Sequence, residues 1–188
     1  MAHGAVLSLH RTDEAVLERA RRVRLVVLDA DGVLTDGRIV IHSDGTDSRA
    51  FSTRDGLGTR LGQRAGLRFA LLSGRTSEAV SIRARELDFV DVRQGSDDKG
   101  TLLASIAARQ RLPLEAVCYM GDDLVDLPAI RKAGFSAAPS DADPTVREAV
   151  HWVSPSPGGR GAVRDLVETI LRAQGLWDEV LRPVVAGA

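Results

Sequence analysis

Three apolar runs, at 25–28, 69–72 (in a strand that opens at Arg68) and 116–120, each stop abruptly at polar residues. Asp29 and Asp31 follow the first, Ser73-Gly74-Arg75 the second and Gly121-Asp122-Asp123 the third. A short continuous apolar run bounded by turn residues suits a strand buried on both faces. Shorter stretches at 89–91 and 135–137 extend the series, and 151–153 reads as an edge strand. Between the strands lie helical stretches: 13–22 with Thr12 as N-cap, Arg54-Asp55-Gly56 to near Gly66, the stretch after Arg75 through Leu87, Lys99 to about Arg111, and 124–133. Asp143-Pro144 starts a brief helix, with a capping aspartate and proline at the first helical position. Val163, Leu166, Val167, Ile170 and Leu171 fall at i, i+3, i+4, i+7 and i+8, the apolar stripe of a last helix.

Repeated strand–helix alternation predicts an α/β fold, a doubly wound, Rossmann-like parallel sheet covered on both faces. One interruption stands out. Residues 38–41 and 48–51 flank Ser43-Asp44-Gly45-Thr46, a β-hairpin signature where a strand should lead directly into a helix. The hairpin over 38–51 is therefore expected to project from the sheet. With no internal repeat and no linker, residues 1–188 read as a single domain, with an N-terminal helix and arm over 1–23 and a C-terminal tail over 176–188.

Composition narrows the function. A net charge of −1 without a long basic block argues against a nucleic-acid partner. No apolar stretch reaches membrane-spanning length, and no signal-peptide pattern opens the chain. The single cysteine, Cys118, sits in an apolar run and reads as core, so a cytoplasmic location is the expectation.

The odd residues all fall at carboxyl ends of predicted strands: Asp29 and Asp31, Ser73, Lys99, then Asp122 and Asp123. In open α/β sheets that edge is where ligands bind. Each has a plainer reading. Ser73 suits a turn, and Asp122 and Asp123 suit a helix cap. Lys99 could be a solvated surface lysine at small cost, but a cation near a helix N-terminus opposes the dipole, and a phosphate ligand makes better sense of the placement. Several carboxylates beside a glycine-relieved backbone suit a hard cation such as Mg²⁺, and no histidine or cysteine cluster suggests zinc. A carboxylate near such a cation, with a lysine and a hydroxyl, can attack phosphorus, and a second carboxylate can shuttle the proton. Arg54, Arg60, Arg75 and Arg83 accompany helices that start at this edge; they suit a substrate carboxylate, or else are solvated helix faces. A signalling receiver domain shares the acidic cluster, hydroxyl and lysine, but has no use for a general acid/base at Asp31.

Asp29-Ala30-Asp31-Gly32-Val33-Leu34-Thr35, Ser73-Gly74-Arg75, Lys99 and Gly121-Asp122-Asp123-Leu124-Val125-Asp126 resemble the four motifs of haloacid-dehalogenase-like phosphatases. Asp36-Gly37, Arg54-Asp55-Gly56 and the segment Gly158-Gly159-Arg160-Gly161-Ala162-Val163-Arg164 narrow the resemblance. They are similar to the branch acting on 3-deoxy-D-manno-octulosonate 8-phosphate (Kdo8P), a lipopolysaccharide precursor; relatives on the same scaffold take nine-carbon sugar acid phosphates. The resemblance implies Asp29 as nucleophile and Mg²⁺ ligand, and Asp31 as general acid/base that also offers its backbone carbonyl to the metal. It implies Ser73 and Lys99 on the phosphoryl group, Asp122 as the remaining ligand, and Asp123 or Asp126 in support. Ser52, Thr53, Arg54, Asp55, Gly56, Arg60, Arg75 and Arg83 are the matching substrate contacts, with Ser52 where the family often has asparagine. It further implies no separate cap domain and a homotetramer in which the hairpin and a neighbouring subunit close the cleft.

Overall fold

The computed structural model describes residues 13–186. Its helices and strands are, in chain order, α1 (Glu14–Arg22), β1 (Leu25–Leu28), β2 (Val40–Ile41), β3 (Asp47–Ser48), α2 (Thr53–Arg64), β4 (Arg68–Ser73), α3 (Glu78–Glu86), β5 (Asp91–Gln94), α4 (Lys99–Arg109) and β6 (Val117–Met120). α5 (Leu127–Ile130), β7 (Phe135–Ala138), α6 (Pro144–Ala149), β8 (Trp152–Val153), α7 (Ala162–Ala173) and α8 (Trp177–Ala186) complete the order.

Six strands form one parallel sheet in the order β5-β4-β1-β6-β7-β8. The alternation of side chains across the pleat divides the core in two. Val26, Leu28, Phe69, Leu71, Cys118 and Met120 face the layer that includes α7, while Leu25, Val27, Ala70, Leu72, Val117 and Tyr119 face α4 and α5. All twelve are at most marginally accessible, which is why these strands carry continuous apolar runs instead of alternating ones. This is the expected doubly wound architecture. The chain leaves β1 first towards β4 and β5, then returns to its other side at β6, so the topological switch lies between β1 and β6. There Leu28 is level with Met120, and the Asp29 N–H extends the ladder to the Met120 carbonyl at 3.0 Å.

Several boundaries differ from the sequence expectation. Asp13 caps α1, accepting from the Ala15 N–H at 3.2 Å; the expected cap, Thr12, lies outside the described residues. The strand expected over 89–91 begins at Asp91 instead. Asp88 takes a left-handed φ of 52° to end the preceding helix, and Phe89 folds back beside Phe69, with ring centroids 6.1 Å apart. The apolar Phe89 thus anchors a helix end. The helix expected over 124–133 is a 3₁₀ turn at Leu124–Asp126 followed by the short α5, whose Pro128 suits the start of a helix and not its middle. β2 and β3 pair only as Val40–Ser48 and Ile41–Asp47, in a sheet of their own. Finally, the expected C-terminal tail includes α8, whose Trp177 and Val180 are buried against the α7 layer.

Candidate active site

The carboxyl ends of β1, β4 and β6 and the start of α4 converge on a cleft of about 480 Å³. Its lining includes Asp29, Asp31, Ser73, Lys99, Asp122 and Asp123, the residues the sequence placed there, together with Arg75. A second depression of about 440 Å³ lies away from this edge, beside Arg21, Arg24 and Gln174. Arg21 and Arg24 there donate to backbone carbonyls, and no carboxylate is among the described residues that line it, so the chemistry belongs to the first cleft.

Asp29 directly follows β1 and is 6% exposed. The loop after it turns at Gly32, whose φ of +87° favours glycine. Space demands glycine as well: a Cβ there would stand 2.0 Å from Asp122 Oδ2. The loop and the β6 terminus therefore pack together tightly enough to bring their carboxylates into one group. Carboxylate oxygens of Asp29, Asp122 and Asp126 lie within 4.8 Å of one another.

Lys99 is the first residue of α4, behind the capping Asp98. Its side chain is 1% exposed, with Nζ 3.1 Å from Asp29 Oδ1 and 2.5 Å from Asp126 Oδ1. Burial opposes its charge, but the Asp29 and Asp126 carboxylates prevail and hold the ammonium above the ordinary lysine range. A helix-start lysine is tolerated here because those carboxylates, not water, surround it.

One ammonium does not neutralise three carboxylates. Burial, and then the charge of Asp126, push the Asp29 carboxyl up to about 7 against the pull of Lys99. Burial and the charges of Asp29 and Asp126 push Asp122 up to about 8. Asp29 Oδ1 and Asp122 Oδ1 are also buried without a directed hydrogen bond; the Lys99 contact to Asp29 is a close ion pair only. Buried oxygens that lack donors, on carboxyls that resist ionisation, are the groups a hard cation would satisfy. The donor set is all oxygen, and it fits Mg²⁺.

Asp126, one of two candidates for supporting this centre, is fully buried and organises it. Its Oδ1 accepts from Lys99 Nζ and from the Tyr119 hydroxyl, each at 2.5 Å, and its Oδ2 accepts from the backbone N–H groups of Asp122 and Asp123 at 2.9 and 3.2 Å. The other candidate, Asp123, is exposed and caps its own turn by accepting from the Leu124 N–H at 2.7 Å. Tyr119 escaped the sequence reading, although a lone tyrosine in a buried strand signals a hydroxyl in need of a partner. Arg49 escaped it too: its guanidinium grips both oxygens of Asp31, at 2.6 and 3.3 Å. The Asp31 side chain is thus turned to Arg49 and not to the three-carboxylate group.

Ser73 ends β4, 3% exposed, with its Oγ accepting from the Arg75 N–H at 3.3 Å. Of Ser52, Thr53, Arg54, Asp55, Gly56, Arg60, Arg75 and Arg83, the expected substrate contacts, Arg75 alone lines the cleft of its own chain. Ser52 caps α2 by accepting from the Asp55 N–H, which is the service an asparagine would give, and Thr53 begins that helix. Asp55 is 2% exposed and accepts from the N–H groups of Gly161 and Arg164, joining α2 to the start of α7. Arg54 pairs with Asp165, and Arg60 donates to the Glu86 carbonyl. Arg83 crosses bare Gly56 to donate to the Ser52 carbonyl and also pairs with Glu86. Within one chain these residues build the scaffold beside the cleft. The glycine-rich segment does likewise: Gly159 N–H donates to the Val33 carbonyl at 2.9 Å, bracing the loop that follows Asp29.

The motif geometry agrees with comparison to known proteins. A model of haloacid dehalogenase-like hydrolases matches residues 63–164. The chain is 37% identical over 164 residues to the 3-deoxy-D-manno-octulosonate 8-phosphate phosphatase of Salmonella typhi, covering 87% of each. The crystal structure of that phosphatase from Moraxella catarrhalis, in complex with magnesium ion, phosphate ion and a KDO molecule, is similar at a TM-score of 0.88 and 35% identity, over 93% of this chain and 98% of that one. A probable YrbI family phosphatase from Pseudomonas syringae pv. phaseolica reaches the same TM-score at 39% identity, over 92% and 98%. These likenesses select the phosphatase over the receiver. The chain belongs to the haloacid dehalogenase-like hydrolases, in the family of the 3-deoxy-D-manno-octulosonate 8-phosphate phosphatases.

Proposed function

We propose that this protein hydrolyses Kdo8P to the free sugar acid and phosphate, with Mg²⁺, through an aspartyl-phosphate on Asp29. The observation that carries the mechanism is the buried group of Asp29, Asp122 and Asp126 around Lys99, with donor-poor oxygens on Asp29 and Asp122. Asp29 and Asp122, with the Asp31 backbone carbonyl, would hold Mg²⁺, which when bound supplies positive charge to offset the carboxylates and the phosphoryl oxygens.

Asp29 is the nucleophile: ionised, one carboxylate oxygen attacks phosphorus while the bond to the sugar oxygen breaks. Lys99 Nζ and the Ser73 hydroxyl bind the transferring phosphoryl oxygens, the ammonium meeting the charge that builds there. Asp31 gives its proton to the leaving sugar oxygen, then takes one from the water that cleaves the acyl phosphate. Asp126 keeps Lys99 and the Asp122 backbone in place. Arg75, at the cleft, suits the substrate carboxylate.

The protein is further proposed to work as a cytoplasmic homotetramer supplying lipopolysaccharide synthesis. Among the described residues no helix is long and apolar enough to cross a membrane. The hairpin exposes Ile41 at 77% and Val40 at 55%, an apolar strand that suits an interface. Of the hairpin's other large apolar residues, Ile39 turns to the cleft and Phe51 packs on the core. The deciding experiment is phosphate release from Kdo8P with and without Mg²⁺. Turnover should require the metal and vanish in Asp29→Asn. An Asp29→Asn enzyme with near-normal turnover would sink the mechanism, and a fully active monomer by light scattering at micromolar concentration would sink the assembly.

A further inference from the structure

The return limb of the hairpin carries a buried charge that the chemistry above does not use. Arg49 directly follows β3, and its side chain is 1% exposed. Nε donates to Asp31 Oδ1 at 2.6 Å and Nη2 to Asp31 Oδ2 at 3.3 Å. Nη1 donates to Ser77 Oγ at 3.0 Å and lies 2.7 Å from Asp47 Oδ1. Ser77 extends the chain of contacts, its hydroxyl donating to Asp47 at 3.0 Å and its N–H to Gln94 Oε1 at 2.8 Å. Gln94 sits at the end of β5, so one guanidinium joins the β1 loop, the hairpin, the start of α3 and the edge of the sheet.

Burying an arginine costs desolvation that only well-directed acceptors offset. In return, its planar fork fixes the plane of a carboxylate, which a point-charge ammonium cannot do. Among the described residues, the Asp31 carboxylate accepts hydrogen bonds from Arg49 alone. The fork engages each Asp31 oxygen once and leaves a further lone pair on each, where the proton that passes to the leaving oxygen can be carried. A general acid acts only within hydrogen-bond reach of the proton's destination, so its orientation sets its rate.

We propose that Arg49 is the positioning residue of the Asp31 carboxylate, so that docking the hairpin and aiming the acid/base are one event. This rests on the phosphatase reading above. The Mg²⁺-loaded full-length enzyme is mixed with Kdo8P or p-nitrophenyl phosphate, and phosphoenzyme formation is followed by rapid quench. Arg49→Met should slow formation from Kdo8P roughly ten- to hundredfold, within the range of general acid catalysis. With p-nitrophenyl phosphate, whose phenolate leaves without a proton, it should change less than about threefold. Arg49→Lys keeps the charge but not the fork, and should show the same selective loss in smaller measure; it carries the test where the methionine variant fails to fold. Equal slowing on both substrates, or wild-type rates on Kdo8P, overturns the role of Arg49. Asp31→Asn separates the two levels. A selective loss there with none in either Arg49 variant removes Arg49 alone. A wild-type enzyme that forms no phosphoenzyme, or an Asp31→Asn variant as fast as wild type on both substrates, removes the underlying reading and this proposal with it.

Discussion

Replacing Asp126 with asparagine tests the whole cluster by changing one atom. The carboxylate accepts four hydrogen bonds, two on Oδ1 from Lys99 and Tyr119 and two on Oδ2 from the backbone of Asp122 and Asp123. An amide has one oxygen, so whichever way it turns its NH₂ faces a pair of donors. Two hydrogen bonds to a charged acceptor are lost, at about 1.5–3 kcal/mol each, and their donors are left buried. Part of this is offset in the metal-free protein, because the Asp126 charge is one of the causes that lift the Asp29 and Asp122 carboxyls. A net loss of about 3 kcal/mol corresponds to a melting temperature lower by roughly 6–12 °C for a chain of this size. Melting is measured by calorimetry in EDTA and in saturating Mg²⁺, and Mg²⁺ affinity by titration. The loss should be larger with Mg²⁺, where the offset disappears, and affinity should weaken roughly tenfold because the Asp122 backbone loses its anchor. A melting temperature within about 2 °C of wild type in both conditions, with unchanged Mg²⁺ affinity, would refute the reasoning.

Three further outcomes follow from the same geometry. In the metal-free protein Asp29 and Asp122 ionise only near 7 and 8, against 3.8 for an ordinary aspartate, so the folded state holds protons that the unfolded chain has released. Stability is then greatest below about pH 4 as far as these groups decide it, and falls as pH rises towards about 8. Because Mg²⁺ competes with those protons, the melting-temperature gain it gives should grow between about pH 5 and pH 8; a flat gain contradicts the assignment. Arg75→Ala should lower kcat/KM for Kdo8P roughly tenfold while sparing p-nitrophenyl phosphate, a modest effect because this arginine is exposed; equal losses would mean that it shapes the site instead. Gly158→Ala would set a Cβ 1.8 Å from the Gly32 carbonyl oxygen, so it should destabilise the fold by several degrees and weaken Mg²⁺ binding; a neutral melting curve would show that the loop yields.

The carbon skeleton of the fold was legible in the chain because burial on both faces demands uninterrupted apolar runs, and 25–28, 69–72 and 116–120 have them. The same runs announced their own ends. Asp29, Ser73 and Asp122 had to leave the core where they stood, so sequence alone determined that they share one sheet edge. Local pattern misled where an apolar residue served a helix end, as Phe89 does, or where a hairpin packed one isoleucine into the cleft and left its neighbours outside. Tertiary structure decided the rest. A charged residue's role depends on which partners reach it through space, and periodicity carries no record of partners distant in sequence. Lys99 meets Asp126 across 27 residues and Arg49 meets Asp31 across 18. Arg54, Arg60, Arg83 and Asp55, expected at the substrate, hold helices together within their own chain for the same reason. The sequence named the carboxylates; only packing made Asp126 the organiser of the group and Arg49 the grip on Asp31, because a buried charge is fixed by the donors or acceptors that surround it.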